Sequence, residues 1–315
     1  MVHNMMKRKT EQKKKTKWKQ MIPFYIMMAP GLIYLFCNNY LPMTGLYLAF
    51  TRVNLQKGIF GGEWVGLSNF ISLVKSPDFL LIIRNTVLYN LVFIIGAPVI
   101  GILIAFFLNE LSGKVTQKIH QTTILLPALI SVQIVTYMVY AFLAGDTGMM
   151  NNTIMPLFGK DPVLWYSAAQ YWPAILIFVY FWMRSGFNSV VYFSSMLSIS
   201  ADYYEAAQLD GATKWQQFRT ITLPLLKPTI ITLTIISLGS IFKSDFGLFY
   251  QVPMNNGALY DVTQTIDTYV FRGLIGTGNL GFSAAAGFLQ SVIGLATVLA
   301  ANFVIRKVSP DEAMF

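Results

Sequence analysis

Long apolar stretches separated by shorter polar ones dominate the pattern of this chain. Six apolar stretches reach the length of about 20 residues that a helix needs to cross the core of a bilayer. They cover residues 21–41, 85–109, 120–143, 171–194, 228–250 and 283–305. The pattern therefore predicts an all-α integral membrane protein with six transmembrane helices, numbered here as spans 1 to 6.

A polar segment, residues 198–228, interrupts the pattern between spans 4 and 5. Ser198 and Ser200 are residues that cap helix N-termini, and the acidic residues after them suit a first helical turn. These features predict a short helix that begins near Asp202. Gly211 supplies the turn that ends it.

The rest of the polar segment predicts a second short helix over residues 212–220. Trp215 and Phe218 lie three residues apart and therefore share one face of that helix. Pro224 and Pro228 disrupt helices and mark the entry into span 5. The polar segment is thus predicted to form a rigid helix–turn–helix elbow.

Composition supports a membrane protein and narrows the chemistry. Hydrophobic residues make up 55% and charged residues 12% of the 315 positions, whereas soluble domains average about 25% charged residues. The single cysteine, Cys37, excludes an internal disulfide. No metal-ligand cluster, Ser–His pair or carboxylate pair occurs within the spans, so the sequence predicts neither a catalytic site nor a metal site.

The formal net charge of +9 is concentrated at the N-terminus, where eight of the 23 Lys and Arg residues fall within the first 19 positions. Such a run can bind nucleic acid, but directly before an apolar span it is typical of a cytoplasmic anchor, and no nucleic-acid partner is expected. No small-residue cleavage site follows the first apolar stretch, which favours a retained span over a signal peptide. The predicted organisation is a basic tail (1–20), a transmembrane domain (21–307) and a short C-terminal tail (308–315).

Lys and Arg also orient the spans, because cytoplasmic loops carry more of them. With the N-terminus inside, fifteen basic residues lie on the cytoplasmic side and six on the outer side. Both termini and the segment 198–228 are then cytoplasmic. The loops 51–84, 144–170 and 251–282 face outward and are candidates for docking an extracytoplasmic partner.

The spacing within 198–228 resembles a motif of a known family. The residues that carry it are Glu205, Ala206, Ala207, Asp210, Gly211, Ile221, Leu223 and Pro224. They resemble the cytoplasmic coupling motif in the permease subunits of type I bacterial ABC importers. The segments 64–70 and 210–228 resemble the carbohydrate-uptake branch of these permeases. The segment 266–272, Ile-Asp-Thr-Tyr-Val-Phe-Arg, resembles permeases for polysaccharides and complex oligosaccharides.

The resemblance implies a multi-pass permease of the bacterial plasma membrane that imports carbohydrates by alternating access. Its expected partners are a second homologous permease, two ATPase subunits and an extracytoplasmic solute-binding lipoprotein, besides membrane lipid. Glu205 would enter a cleft of one ATPase, and Gly211 would permit the elbow. ATP and Mg²⁺ are expected on the ATPases and no cofactor on this chain, which contains no Gly-x4-Gly-Lys-Ser/Thr phosphate loop.

Charged side chains inside spans are costly and usually face a cavity or a partner. The candidates for the translocation pathway lie in spans 4 and 5: Tyr180, Trp182, Arg184, Lys243, Asp245 and Phe246. Lys243 and Asp245 are two residues apart and would not share a face of a regular helix. An ion pair between Arg184 and Asp245 across the helices is therefore the hypothesis for this region.

Three alternatives stay open at this point. An ion-coupled secondary transporter would show inverted repeats, broken helices and intramembrane carboxylates, and Asp245 is the clear carboxylate near mid-span. A membrane-embedded enzyme lacks its constellation of catalytic residues. A permease for peptides or another non-sugar solute is separated only by the finer resemblance to the sugar branch.

Overall fold

The computed structural model describes residues 2–308 and is built almost entirely from helices. The predicted C-terminal tail, beyond position 308, lies outside the described residues. The helices within the described range are α1 (Val2–Leu35), α2 (Ser68–Val74), α3 (Phe79–Glu110), α4 (Lys114–Leu129), α5 (Val132–Leu143), α6 (Met155–Leu157), α7 (Trp172–Leu197), α8 (Ala201–Leu209), α9 (Lys214–Gln217), α10 (Leu223–Leu238), α11 (Tyr260–Thr263), α12 (Ile266–Thr277) and α13 (Leu280–Val308). The strands β1 (Thr51–Arg52) and β2 (Glu63–Trp64) pair antiparallel.

The number of spans agrees with the sequence prediction. Five helical stretches in the described chain are long and apolar enough to cross a membrane, and α4 with α5 makes six if this bent pair is one span. The five are Gln20–Phe50, Phe79–Glu110, Ala169–Leu197, Lys214–Leu238 and Leu280–Lys307. They are spans 1, 2, 4, 5 and 6, and the pair is span 3. The axes of α4 and α5 differ by 92°, so the span predicted over 120–143 consists of two helices joined at a sharp bend.

Span 1 extends beyond its predicted end at residue 41. A π-helical turn (Phe36–Tyr40) and a 3-10 helix (Leu41–Phe50) continue it. Asn38 does not interrupt the helix, because its side-chain amide donates to the carbonyl of Tyr34 one turn earlier. Pro42 lies in the first turn of the 3-10 helix, where a missing backbone N–H costs little.

Span 5 differs most from the prediction of 228–250. It begins at Lys214 and ends at Leu238. The predicted second short helix over 212–220 is therefore not separate, because α9 passes through a π-helical turn (Phe218–Thr222) directly into α10. Pro224 occupies the first turn of α10 and does not break the helix.

The core lies between spans 2 and 4, which pack along each other. The end of the fold that bears the β1–β2 hairpin is called the outer end, and the end that bears α8 the inner end. An outer cluster includes Trp172, Leu176 and Phe249, and an inner cluster includes Tyr192 and Leu226. A third cluster joins span 2 to span 6 and α12. The two ends of the molecule therefore have separate apolar cores that share the same two long helices.

Close helix packing explains one glycine in span 4. A Cβ added at Gly186 would overlap the backbone carbonyl of Ile124 in α4, whereas one at Gly287 in span 6 would meet no atom within 4 Å. We expect Gly186→Ala to lower the free energy of unfolding by about 1–3 kcal/mol through overpacking. Thermal unfolding of the purified chain in detergent measures this, and Gly287→Ala is the matched control. Equal melting temperatures for the two variants would contradict the α4–α7 contact.

Candidate functional site

The helix α8 stands on the surface of the fold. The Ser200 side chain caps it by accepting a hydrogen bond from the Asp202 backbone at 3.3 Å, and no residue of the helix is buried. Tyr203 is 59% exposed and Leu209 is 90% exposed. Both apolar side chains therefore point away from the fold, near the two ends of a polar helix.

Gly211 makes the turn that ends α8. Its φ is +78° and no atom lies within 4 Å of the position of a Cβ, so the requirement for glycine comes from the backbone conformation and not from crowding. The backbone N–H of Gly211 donates to the carbonyl of Gln208, and that of Ala212 donates to Ala207. The turn predicted from the sequence is thus present, with the orphan carbonyls of the helix end satisfied.

Several side chains fasten this turn to spans 2 and 5. The Tyr204 hydroxyl lies 2.9 Å from the Thr222 hydroxyl, and Gln217 donates to the Ala212 carbonyl at 3.1 Å. Lys214 lies 3.5 Å from the Glu110 carboxylate at the end of span 2. The segment 201–222 and the inner ends of the two spans therefore form one connected body.

The predicted motif residues divide between two parts of this body. Glu205, Ala206 and Asp210 are exposed on α8 and its end, and Ala207 is partly buried. Ile221, Leu223 and Pro224 lie at the start of span 5, where Ile221 is partly buried and the other two are exposed. Glu205, Ala206 and Asp210 are thus accessible to a partner on α8 and its end. Ile221, Leu223 and Pro224 belong to the base of span 5.

The chain leaves the helix after Leu238 and crosses the outer half of the fold through turns. In place of helical hydrogen bonds, the backbone groups of this segment bond to side chains from neighbouring spans and from α12. Asn90 donates to the carbonyls of Ile241 and Lys243, and Gln290 donates to that of Phe242. The Ser244 backbone donates to the Asp267 carboxylate at 2.6 Å. Irregular backbone at membrane depth is stable only with such partners.

Arg184 and Asp245 form the ion pair that the sequence suggests, with Nη2 and Oδ2 2.8 Å apart. The Arg184 side chain is 54% exposed and that of Asp245 is 25% exposed. Asp245 lies just before the π-helical turn Gly247–Gln251 and accepts from the Leu248 backbone as well. The pair thus joins span 4 to the irregular segment and leaves much of the guanidinium open.

The other predicted pathway residues occupy different surroundings. Tyr180 stacks on Phe93 with 3.6 Å between ring centroids, and Trp182 packs partly buried against the outer core. Lys243 is exposed and takes part in neither of the two ion pairs of the described chain. Phe246 lies in an aromatic group with Tyr250 and Phe271.

Sequence reasoning missed Arg272 and the rings around it. The guanidinium carbon lies 3.8 Å from the centre of the Tyr260 ring, and Nε donates to Asn255 Oδ1 at 2.7 Å. Burial lowers the pKa of Arg272, while the neighbouring hydroxyls of Tyr260 and Tyr250 oppose the shift. Arginine nevertheless stays charged. The sequence feature that could have pointed to Arg272 was its position as a basic residue at the end of the 266–272 motif.

Comparison with known proteins decides the family. Residues 97–310 match the family described as the binding-protein-dependent transport system inner membrane component. The chain belongs to this family. It is a transport permease subunit. The break in the helix after Leu238, which a secondary transporter could also show, is therefore a feature of this permease.

Relatives of this permease cover most of its length. Protein LplB of Bacillus subtilis (strain 168) is 32% identical over 96% of this chain and 92% of its own. The polygalacturonan/rhamnogalacturonan transport system permease protein YteP of the same organism is 33% identical over 90% of this chain and 87% of its own. A chain in the crystal structure of a bacterial ABC transporter that imports the acidic polysaccharide alginate superposes with a TM-score of 0.84. It is 33% identical to this permease over 94% of this chain and 99% of that one.

The Arg184–Asp245 pair can be tested by exchanging its charges. Asp245→Arg places two guanidinium groups together, so we expect the melting temperature of the purified chain to fall. Adding Arg184→Asp restores the opposite charges and should recover a substantial part of the loss, measured as a double-mutant cycle. Lys243→Ala, which removes a nearby cation outside both ion pairs, is the control and should melt near wild type. A double variant less stable than either single one would refute the pairing.

Proposed function

We propose that this permease is one half of the translocation pathway of an ATP-driven importer for complex carbohydrates. The observation that carries the proposal is the exposed helix α8, which is bonded to the base of spans 2 and 5. A rigid surface element connected to membrane helices can transmit displacement from a partner. A flexible loop would absorb that displacement.

The partner at α8 is an ATPase subunit. The helix carries an exposed carboxylate at Glu205 between the exposed apolar side chains of Tyr203 and Leu209. That combination suits a cleft that has apolar walls and a basic or amide group within it. Two ATPase subunits would supply the ATP and Mg²⁺, one for this permease and one for a second homologous permease, so ATP hydrolysis lies outside this chain.

The orientation follows from this assignment together with the distribution of Lys and Arg. Placing α8 on the cytoplasmic side puts both termini there as well, and puts the loops 51–84, 144–170 and 251–282 outside. A solute-binding protein would dock on that outer surface. The crystal structure of the alginate transporter in complex with a pentasaccharide-bound periplasmic protein, to which this chain is 32% identical over 93% of its length, supports such a partner.

The carbohydrate assignment rests on the relatives and on the chemistry of the irregular segment. YteP is named for polygalacturonan and rhamnogalacturonan, and a further relative, AraP of Halalkalibacterium halodurans, is named for arabinooligosaccharides. The aromatic group at Phe246, Tyr250 and Phe271 adjoins the ion pair of Arg184 with Asp245 in sequence and space. Rings beside polar groups suit sugars, because sugar C–H faces stack on rings while hydroxyls form hydrogen bonds.

Reversing the charge of Glu205 tests the ATPase contact. We expect Glu205→Arg to abolish co-purification of the ATPase and substrate-dependent ATP hydrolysis. The new guanidinium would repel a basic group in the cleft and could not accept a hydrogen bond from an amide there. Glu63→Arg, which changes another exposed carboxylate on the hairpin at the other end of the fold, is the matched control and should retain the ATPase. Retention of the ATPase by Glu205→Arg at wild-type levels would refute the contact.

The conformation of Gly211 gives a second test of the same element. Gly211→Val forces a β-branched residue into the left-handed region and should uncouple ATP hydrolysis from uptake by tilting α8. Gly211→Asn places a residue that tolerates this conformation at the same site, so we expect most of the uptake to survive. Uptake of labelled oligosaccharide by vesicles containing the assembled importer is the readout, normalised to the amount of permease in the membrane. Equal uptake by the Val and Asn variants would show that coupling does not depend on the left-handed conformation at residue 211.

A further inference from the structure

Arg272 is the least satisfied charged group in the described part of the chain. Its Nε is fixed by Asn255, but Nη1 and Nη2 are buried and have no hydrogen-bond partner among the described residues. Neither of the two ion pairs of the described chain includes it. A guanidinium normally has acceptors for all three nitrogens when it is withdrawn from water.

The surroundings hold this side chain in one orientation. Met254 and Asn255 adopt φ values of +55° and +48°, which makes a tight reversal that directs Asn255 Oδ1 at Nε. The Tyr260 hydroxyl donates to the same Oδ1 at 3.2 Å, and its ring covers the guanidinium face at 3.8 Å. With the face and one edge occupied, the remaining edge of the guanidinium is the Nη1–Nη2 fork. This edge binds a carboxylate through two parallel hydrogen bonds.

An aromatic strip leads from the ion pair of Arg184 to this fork. Phe246, which follows Asp245, lies 4.6 Å from Phe271 and 4.8 Å from Tyr250 between ring centroids. Tyr250 in turn lies 5.8 Å from the Arg272 guanidinium carbon. The residue after Tyr250, Gln251, has a buried side-chain oxygen that accepts no hydrogen bond from the described residues. A donor such as a sugar hydroxyl would satisfy it.

The charges along this strip favour an anion. Asp245 is paired with Arg184, and Asp267 accepts from the Ser244 backbone, the Ser244 hydroxyl and Gln290. Both carboxylates are thus engaged by donors, whereas the cations Lys243 and Arg272 lie outside the two ion pairs of the described chain. Two cations outside these pairs create a positive potential that attracts an anion.

We propose that Arg272 is a carboxylate subsite of the translocation pathway and that the transported carbohydrate contains uronic acid residues. The inference rests on the proposed function and narrows its substrate class. In the conformation that admits the solute, the buried Nη fork becomes accessible and receives a sugar carboxylate. Successive sugar rings lie along Tyr250, Phe271 and Phe246. A carboxylate that pairs with the fork also favours the conformation in which the fork is accessible.

A pair of matched substrates tests the proposal. The assembled importer, with its second permease, ATPase and binding protein, is reconstituted in vesicles and supplied with a short oligouronate or with its carboxyl-reduced neutral counterpart. Variants are Arg272→Gln and Arg272→Lys, with Arg306→Gln as the control, an exposed arginine at the far end of span 6. The readout is the ratio of the two uptake rates, which does not depend on the amount of folded transporter.

Wild type and Arg306→Gln should prefer the oligouronate. Arg272→Gln should reduce that preference about tenfold or more, because the charge-assisted bidentate contact is lost. Arg272→Lys keeps the charge without the fork and should give an intermediate ratio. If Arg272→Gln is unstable, the ratio of oligouronate uptake to neutral-sugar uptake by Arg272→Lys tests the subsite.

Two results would overturn the subsite. An unchanged ratio in both variants shows that the carboxylate is read elsewhere. Equal loss of both substrates, together with loss of ATP hydrolysis stimulated by the binding protein, shows that Arg272 serves docking or folding. In either case wild-type uptake of oligosaccharide leaves the proposed function standing, whereas failure of wild type to transport either sugar removes the proposed function itself.

Discussion

Backbone hydrogen bonding inside the bilayer is the constraint on which the outer half of this permease depends. Span 5 stops at Leu238, and the chain then runs through turns that pack beside spans 2 and 6. Each exposed N–H or C=O there would cost several kcal/mol without a partner. Asn90, Gln290 and Asp267 supply those partners to residues 241–244 from spans 2 and 6 and from α12. Asn85 of span 2 does the same for the carbonyls of Asp261 and Gln264. The same bonds position Asp245 and the aromatic group, so the candidate pathway exists because the helix is broken.

This constraint also explains which parts of the structure could be read from the sequence. The apolar stretches fix the existence of the spans, since a bilayer imposes length and composition on them. The polar segment with Gly211 could be predicted because capping and left-handed turns are local properties of a few residues. The interpretation of 228–250 as one helix failed because apolarity alone does not distinguish a helix from irregular backbone whose partners come from distant spans. Gly239, Ser240 and Ser244 were the local signs of the break.

Charged residues within spans were informative but incomplete as signals. Arg184 and Asp245 stood out because a charge in an apolar stretch is rare, and the fold does pair them. Arg272 did not stand out, because it falls in a moderately polar loop and its importance comes from the stacking of Tyr260 and the reversal at Asn255. Those contacts depend on residues 12 or more positions away in the chain, so only the folded arrangement shows that its fork is left without an acceptor.

The two ends of the molecule are connected through the same helices. At the inner end, Tyr204 bonds to Thr222 of span 5 and Lys214 pairs with Glu110 of span 2. At the outer end, span 2 carries Asn90, whose amide holds the carbonyls that follow span 5. Under the proposed function, a displacement of α8 would move two helices whose far ends hold the irregular segment, and the geometry around Asp245 would change with them. Under the proposed function, α8 contacts the ATPase and the irregular segment after Leu238 contacts the solute. Both are attached to spans 2 and 5, so these two helices connect the sites directly.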